Sequence, residues 1–127
     1  MMILFLFISG LSHAQSKKDL LVKTWNYKGM EEFGVIKPPD STMKSDLLKL
    51  EADGNFSMIK SGKKLSGKWS LNEKAAIITI TDTKMNKPMN YNLKKLDEKE
   101  LIIEYQTPDL VRTRYIYEAG QEVKGEK

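Results

Sequence analysis

The chain has no cysteine and a single histidine, His13. Without thiols there can be no disulfide framework, no thiolate nucleophile and no cysteine to carry a lipid anchor. His13 falls in an expected leader, so the Ser–His, Cys–His and common zinc constellations are missing as well. Arginine is nearly absent: only Arg112 and Arg114 stand among 21 basic residues, which face 17 acidic ones for a net charge of +4. Nucleic-acid surfaces lean on arginine for bidentate contacts. Scattered lysines instead read as solubilising charge, and no nucleic-acid partner is expected. A weak attraction to anionic envelope lipids or polysaccharide is the electrostatic alternative. Long apolar runs are also missing. The longest, Met1 to Ile8, is far too short to cross a bilayer as a helix, so no transmembrane segment is expected. No stretch keeps a helical period over three turns.

What is present starts with "MMILFLFISGLSHAQS". An apolar run is followed by Ser12 and Ala14, small residues that suit the −3 and −1 positions of a signal-peptidase site. Residues 1–14 are therefore expected to be a secretory signal cut after Ala14, leaving an exported protein, periplasmic or secreted. No lysine or arginine precedes the apolar run, which is irregular for such a leader. Residues 15–119 are expected to form one domain, large enough to bury its own core without disulfides, and residues 120–127 a polar tail.

From Leu20 onward the apolar residues alternate between turn signals, which is the period of half-buried strands. Leu21, Trp25 and Tyr27 share one parity. Leu48 and Leu50 face Phe56 and Met58 across an Asp53–Gly54 turn. Then come Leu65, Trp69 and Leu71; Ile78 and Ile80; Met89, Tyr91 and Leu93; Leu101, Ile103 and Tyr105; and Val111, Tyr115 and Tyr117. Between the first two strands lies "MEEFGVIKPPDSTMKS". Its Pro38–Pro39 pair has no place inside a sheet, so it reads as a long loop, with Phe33, Val35, Ile36 and Met43 expected to cap the core rather than act as a lid.

Eight strands joined mostly by short turns form a meander with two free edges, and closing the first strand onto the last removes both. The expected fold is all-β: an eight-stranded antiparallel up-and-down barrel. Trp25, early in the first strand, would plug the closed end, with Arg112 or Arg114 of the neighbouring last strand crossing its indole. Gly67 lies two residues before Trp69 and would let that strand bend.

The tryptophan of the first strand, the long first connection, the "DGNF" hairpin, the "GKW" strand and the arginine-bearing last strand together resemble the small lipocalin-like domains exported by Bacteroidota. The resemblance runs from about Leu20 to Ala119. It implies a lipocalin-like (calycin) barrel and export. The glycine of the lipocalin Gly-X-Trp pattern is replaced here, since Lys23 and Thr24 precede Trp25, and the C-terminal lipocalin helix is missing.

The residues leave few chemistries. Most of the carboxylates fall in turns or on the polar parity, no facing pair suggests glycoside hydrolysis, and "EADGN" lacks the acidic series and closing Glu of a calcium loop. No enzymatic activity, cofactor or metal is expected. The favoured reading is a monomeric binding protein holding a small hydrophobic molecule, such as a fatty acid or lipid fragment, inside the barrel. Its ligand-binding candidates are Tyr27, Phe56, Met58, Trp69, Tyr91, Leu93, Tyr105, Tyr115 and Tyr117. The alternative is a filled barrel whose surface, marked by outward Ile77, Ile102 and Ile116, binds another envelope protein.

Overall fold

A computed structural model describes residues 16–120; the expected signal peptide and all of the tail except Gly120 lie outside the described residues. The chain enters through one short helix, α1 (Lys17–Leu21), whose N-cap Ser16 accepts a hydrogen bond from the Asp19 amide at 3.1 Å. Nine strands follow: β1 (Thr24–Glu32), β2 (Val35–Lys37), β3 (Leu47–Leu50), β4 (Asn55–Lys60), β5 (Lys63–Asn72), β6 (Ile77–Asp82), β7 (Lys87–Leu96), β8 (Glu100–Gln106) and β9 (Arg112–Ala119). Every pairing is antiparallel, strands β3 to β9 run in sequence order, and β1 pairs with both β3 and β9. The sheet thus closes as the expected eight-stranded barrel, with β2 as an extra strand.

That extra strand lies within the segment expected to be all loop. β1 is long enough to pair with β3 through Thr24–Asn26 and with β2 through Met30–Glu32, so the hairpin β1–β2 continues the wall above the end of β3. The register of β1 against β9 slips between Tyr27 and Gly29. Gly29 sits at φ +147°, and a β-carbon there would lie 2.7 Å from the Lys37 carbonyl oxygen, so only glycine fits this bulge. The proline pair then ends β2, as proline lacks the donor a further rung needs. A single 3₁₀ turn, Ser41–Met43, capped by Asp40 through the Thr42 amide at 2.8 Å, returns the chain to β3.

The interior is packed hard at the end where the chain enters. Trp25, Leu21, Leu48, Leu50, Ile78, Leu101 and Ile103 are all but fully buried, with Phe56, Trp69, Ile80 and Tyr117 beside them. Cross-strand pairs carry the packing: Trp25 opposite Leu48, Leu50 opposite Phe56, Trp69 opposite Ile80 and Leu71 opposite Ile78. Each tryptophan also ties a connecting segment to the barrel. The Trp25 indole donates to the Leu21 carbonyl at 3.0 Å, and the Trp69 indole donates to the Glu51 carbonyl at 2.8 Å. The two tryptophans therefore perform the same task at two different connections.

Two expectations are corrected by this packing. Leu21 belongs to α1, not to the first strand, and reaches the core because the helix folds across the barrel floor. The arginines do not cross Trp25. On β9, Trp25 lies opposite Ala119, whereas Arg114 lies opposite Glu31, near the other end. Arg114 pairs instead with the buried carboxylate of Glu104 at 3.0 Å, and Arg112 donates to Gln106. The cation above the Trp25 ring is the Lys23 ammonium, 4.9 Å from the ring centroid.

The turns at the end away from α1 have unusual occupants. Glu32 pairs with Val35, leaving Phe33–Gly34 as a two-residue loop with φ of 53° and 78°. Two positive φ values mark a type I′ turn, whose first position ordinarily holds Asn, Asp or Gly. In the β8–β9 turn the Leu110 amide donates to the Thr107 carbonyl, and Leu110 itself sits at φ 70°, where such hairpins ordinarily carry glycine. A bulky side chain in this region costs on the order of 1–2 kcal/mol.

Candidate functional site

The barrel is not packed evenly. Towards the end opposite α1 lies a cavity of about 160 Å³. Four tyrosines form its wall: Tyr27 on β1, Tyr91 on β7, and Tyr115 and Tyr117 on β9. Strand alternation points them inward, and pairing places them together: Tyr27 lies opposite Tyr117, and Ile103 lies opposite Tyr115. The rings meet edge to face, with centroids 5.7 Å apart for Tyr27–Tyr117 and 6.3 Å for Tyr91–Tyr115. Such contacts add to area burial and fix ring orientation. Ile103 forms the floor, and Met30, Met43 and Met58 fill in around the rings. Methionine suits this position because its unbranched side chain adapts to different shapes.

Burial dominates the electrostatics. It pushes the Tyr91 phenol up to about 12, with the Tyr115 phenol adding to the effect. Burial likewise raises Tyr27, Tyr115 and Tyr117, and the carboxylate of Asp46 adds to the rise in Tyr27 and Tyr117. All four hydroxyls are thus neutral at physiological pH, each able to donate and to accept one hydrogen bond.

The mouth is polar. Asp46, buried beside the cavity, accepts from the backbone amides of Ser61 at 2.7 Å and Gly62 at 3.3 Å. It thereby holds the β4–β5 turn against the start of β3. Exposed Lys60 and Ser61 complete the mouth, and the Lys60 ammonium lies 6.0 Å from the Tyr115 ring centroid. Glu32 accepts a 2.6 Å hydrogen bond from the buried Thr113 hydroxyl, fastening β1 to β9 beside Tyr115.

Of the residues expected to bind a ligand, Tyr27, Met58, Tyr91, Tyr115 and Tyr117 line this cavity. Phe56, Trp69 and Leu93 do not; they pack in the core towards the closed end. Tyr105 shares the inward parity of Ile103 but does not line the cavity; its ring lies 5.7 Å from that of Tyr91. Parity selects which side chains point inward but not their height along the barrel, so the filled and open halves look alike in the sequence. Met30, Met43, Asp46, Ile59, Lys60 and Ser61 line the cavity without having been singled out as binding residues. The long loop behaves differently from its expected capping role: Met43 reaches the cavity, but Phe33, Val35 and Ile36 are exposed. Ile77, Ile102 and Ile116, expected to mark an outward patch, are half-buried. Among the described residues no cluster of His, Cys, Asp and Glu is arranged to hold a metal, and no helix is long and apolar enough to cross a membrane.

No protein-family model matches this chain, and no curated protein matches its sequence. The chain is similar in structure to a DUF4847 family protein from Bacteroides vulgatus, at a TM-score of 0.58 and 14% identity, over 84% of this chain and 98% of that one. At that identity the likeness shows the fold alone.

Proposed function

We propose that this protein is an exported, lipocalin-like binding protein that takes one compact, largely apolar molecule into the tyrosine-lined half of its barrel. The observation that carries the reading is the uneven filling of the interior. One half is packed by Trp25, Leu48, Leu50 and their neighbours, while the other encloses about 160 Å³ among four phenols. A cavity of about 150 Å³ lined by apolar side chains accepts a benzene-sized molecule, whereas drug-sized ligands need about 300–1,000 Å³. The occupant is therefore a single ring or a short acyl end. A whole long-chain fatty acid is too large to be enclosed; only one end of it would enter. The phenols would supply hydrogen bonds to a hydroxyl or carbonyl, with Lys60 at the mouth to meet an anionic group. An anion deep in the cavity is disfavoured by the Asp46 carboxylate.

Native mass spectrometry of the protein purified from its own envelope tests this directly. An added small mass that leaves on denaturation, together with NMR shifts at Tyr91 and Tyr115 on adding short acyl or monocyclic compounds, is the expected result. Tyr115→Trp should abolish those shifts by filling the space, whereas Leu93→Trp, away from the cavity, should leave them. A bare mass and no shift with any compound would sink the reading.

A further inference from the structure

The large hydrophobic side chains that are exposed among the described residues are Phe33 at 83%, Val35 at 56%, Ile36 at 63%, Met85 at 69% and Leu110 at 73%. None is on the barrel wall of β3 to β9 or at the closed end. They sit on the β1–β2 hairpin, the β6–β7 turn and the β8–β9 turn, all at the end where the cavity opens. Phe33 and Leu110 moreover occupy turn positions at positive φ, where asparagine or glycine would fit without strain. A bulky apolar residue that is exposed and also strained gains nothing from folding, so its placement points to an interaction outside the chain.

Two turns at the same end are basic: residues 60–64 and 82–87 carry five lysines (Lys60, Lys63, Lys64, Lys84 and Lys87) against one acid, Asp82, a local charge of +4. The β1–β2 hairpin and its return to β3 carry Lys37 and Lys44 against Glu31, Glu32, Asp40 and Asp46, and the β8–β9 turn carries Arg112 against Asp109, so the whole rim keeps +2. We infer that this rim docks onto an anionic lipid surface, with Phe33, Met85 and Leu110 entering the acyl boundary and the turn lysines meeting the headgroup phosphates. Charge complementarity favours that occupant. The apolar anchors stand on three separate turns, which a fluid interface accepts one by one. A protein partner would have to match all three in shape at once. Docking this way turns the mouth at Lys60 and Ser61 towards the membrane. The inference stands whatever the cavity holds.

The test is co-sedimentation of the full chain with phosphatidylglycerol-containing vesicles and with pure phosphatidylcholine vesicles. Binding to the anionic vesicles should be stronger and should weaken as salt rises. In the Phe33→Asn/Leu110→Asn variant, asparagine tolerates the positive φ, so the melting temperature should hold or rise while vesicle affinity drops by about tenfold or more. Both proteins share residues 1–15, so a difference between them belongs to the rim. Phe33→Trp adds a direct readout. Trp25 and Trp69 are 0% and 5% exposed, so a vesicle-induced blue shift, quenched by brominated lipid, would come from the tip. Absence of binding to anionic vesicles, or binding unchanged in the double variant, overturns the proposal. Capture of an acidic protein by this rim without vesicle binding overturns it too, in favour of a protein partner.

Discussion

Trp25 shows how much one residue holds in a barrel this small. It is completely buried, packs opposite Leu48 and gives its indole N–H to the last carbonyl of α1. Trp25→Ala should cost about 3–5 kcal/mol, enough to unfold a marginal domain. Trp25→Phe keeps much of the apolar area but leaves the Leu21 carbonyl without its donor, for a loss of about 1–3 kcal/mol. Urea denaturation measures both. Arg114→Met should leave the Trp25 environment unchanged, because its partner is Glu104. It should still destabilise the outer wall, since the Glu104 carboxylate is buried and keeps only Lys94, at 3.9 Å. A change in Trp25 fluorescence in the Arg114 variant would contradict the separation of the two side chains along the barrel.

Among the elements, β5 depends on close approach rather than on a side chain. A β-carbon at Gly67 would stand 2.0 Å from the Thr81 carbonyl oxygen and 3.0 Å from the Phe56 ring. Gly67 faces Asp82 in register, and the Thr83 amide closes the corner by donating to Ser66. Gly67→Ala must push β5 and β6 apart, at a cost of about 1–3 kcal/mol or more. Gly62→Ala, which meets no atom within 4 Å but sits at φ 82°, should cost only its strain of about 1–2 kcal/mol. Thermal melts of the two should rank Gly67→Ala as the more damaging, and the reverse order would mean the corner can relax. The apparent sense of "GKW", a glycine that lets the strand bend, is thus a requirement for contact between neighbouring backbones.

At the scale of the whole molecule, the tyrosine cluster makes the barrel sensitive to alkali. The Tyr91 phenol moves from 10.0 to about 12 on folding. Between those values the folded chain keeps a proton that the unfolded chain has lost. Its contribution is therefore complete below pH 10 and is lost as pH rises towards 12, by up to about 2.5 kcal/mol. Tyr27, Tyr115 and Tyr117 shift in the same direction for the same first cause, burial. Urea midpoints at about pH 9 and about pH 11.5 should show this loss, and Tyr91→Phe should flatten part of it. An unchanged slope in that variant would place Tyr91 in water rather than in the wall. Occupation of the cavity would raise the folded state's stability by mass action, so the same melts double as a screen for ligands.

The alternation of apolar residues determined the strands, their inward faces and their pairing order, because a strand's side chains change face at every residue whatever surrounds it. Closure followed from the same pattern, since a meander of this length has edges to hide. Three features were decided only in three dimensions. β2 forms because β1 overshoots β3 and leaves unpaired rungs that Val35–Lys37 can fill. The arginines miss Trp25 because register, not strand adjacency, sets height along the barrel. The cavity lies at Tyr91 and Tyr115 rather than at Phe56 and Trp69 because two indoles and a helix fill one end, and nothing in a two-residue period says which end that is. The strained tips Phe33 and Leu110 belong to both levels: their residue types stand in the sequence, but only the backbone shows that each occupies a position where a small residue would fold more easily.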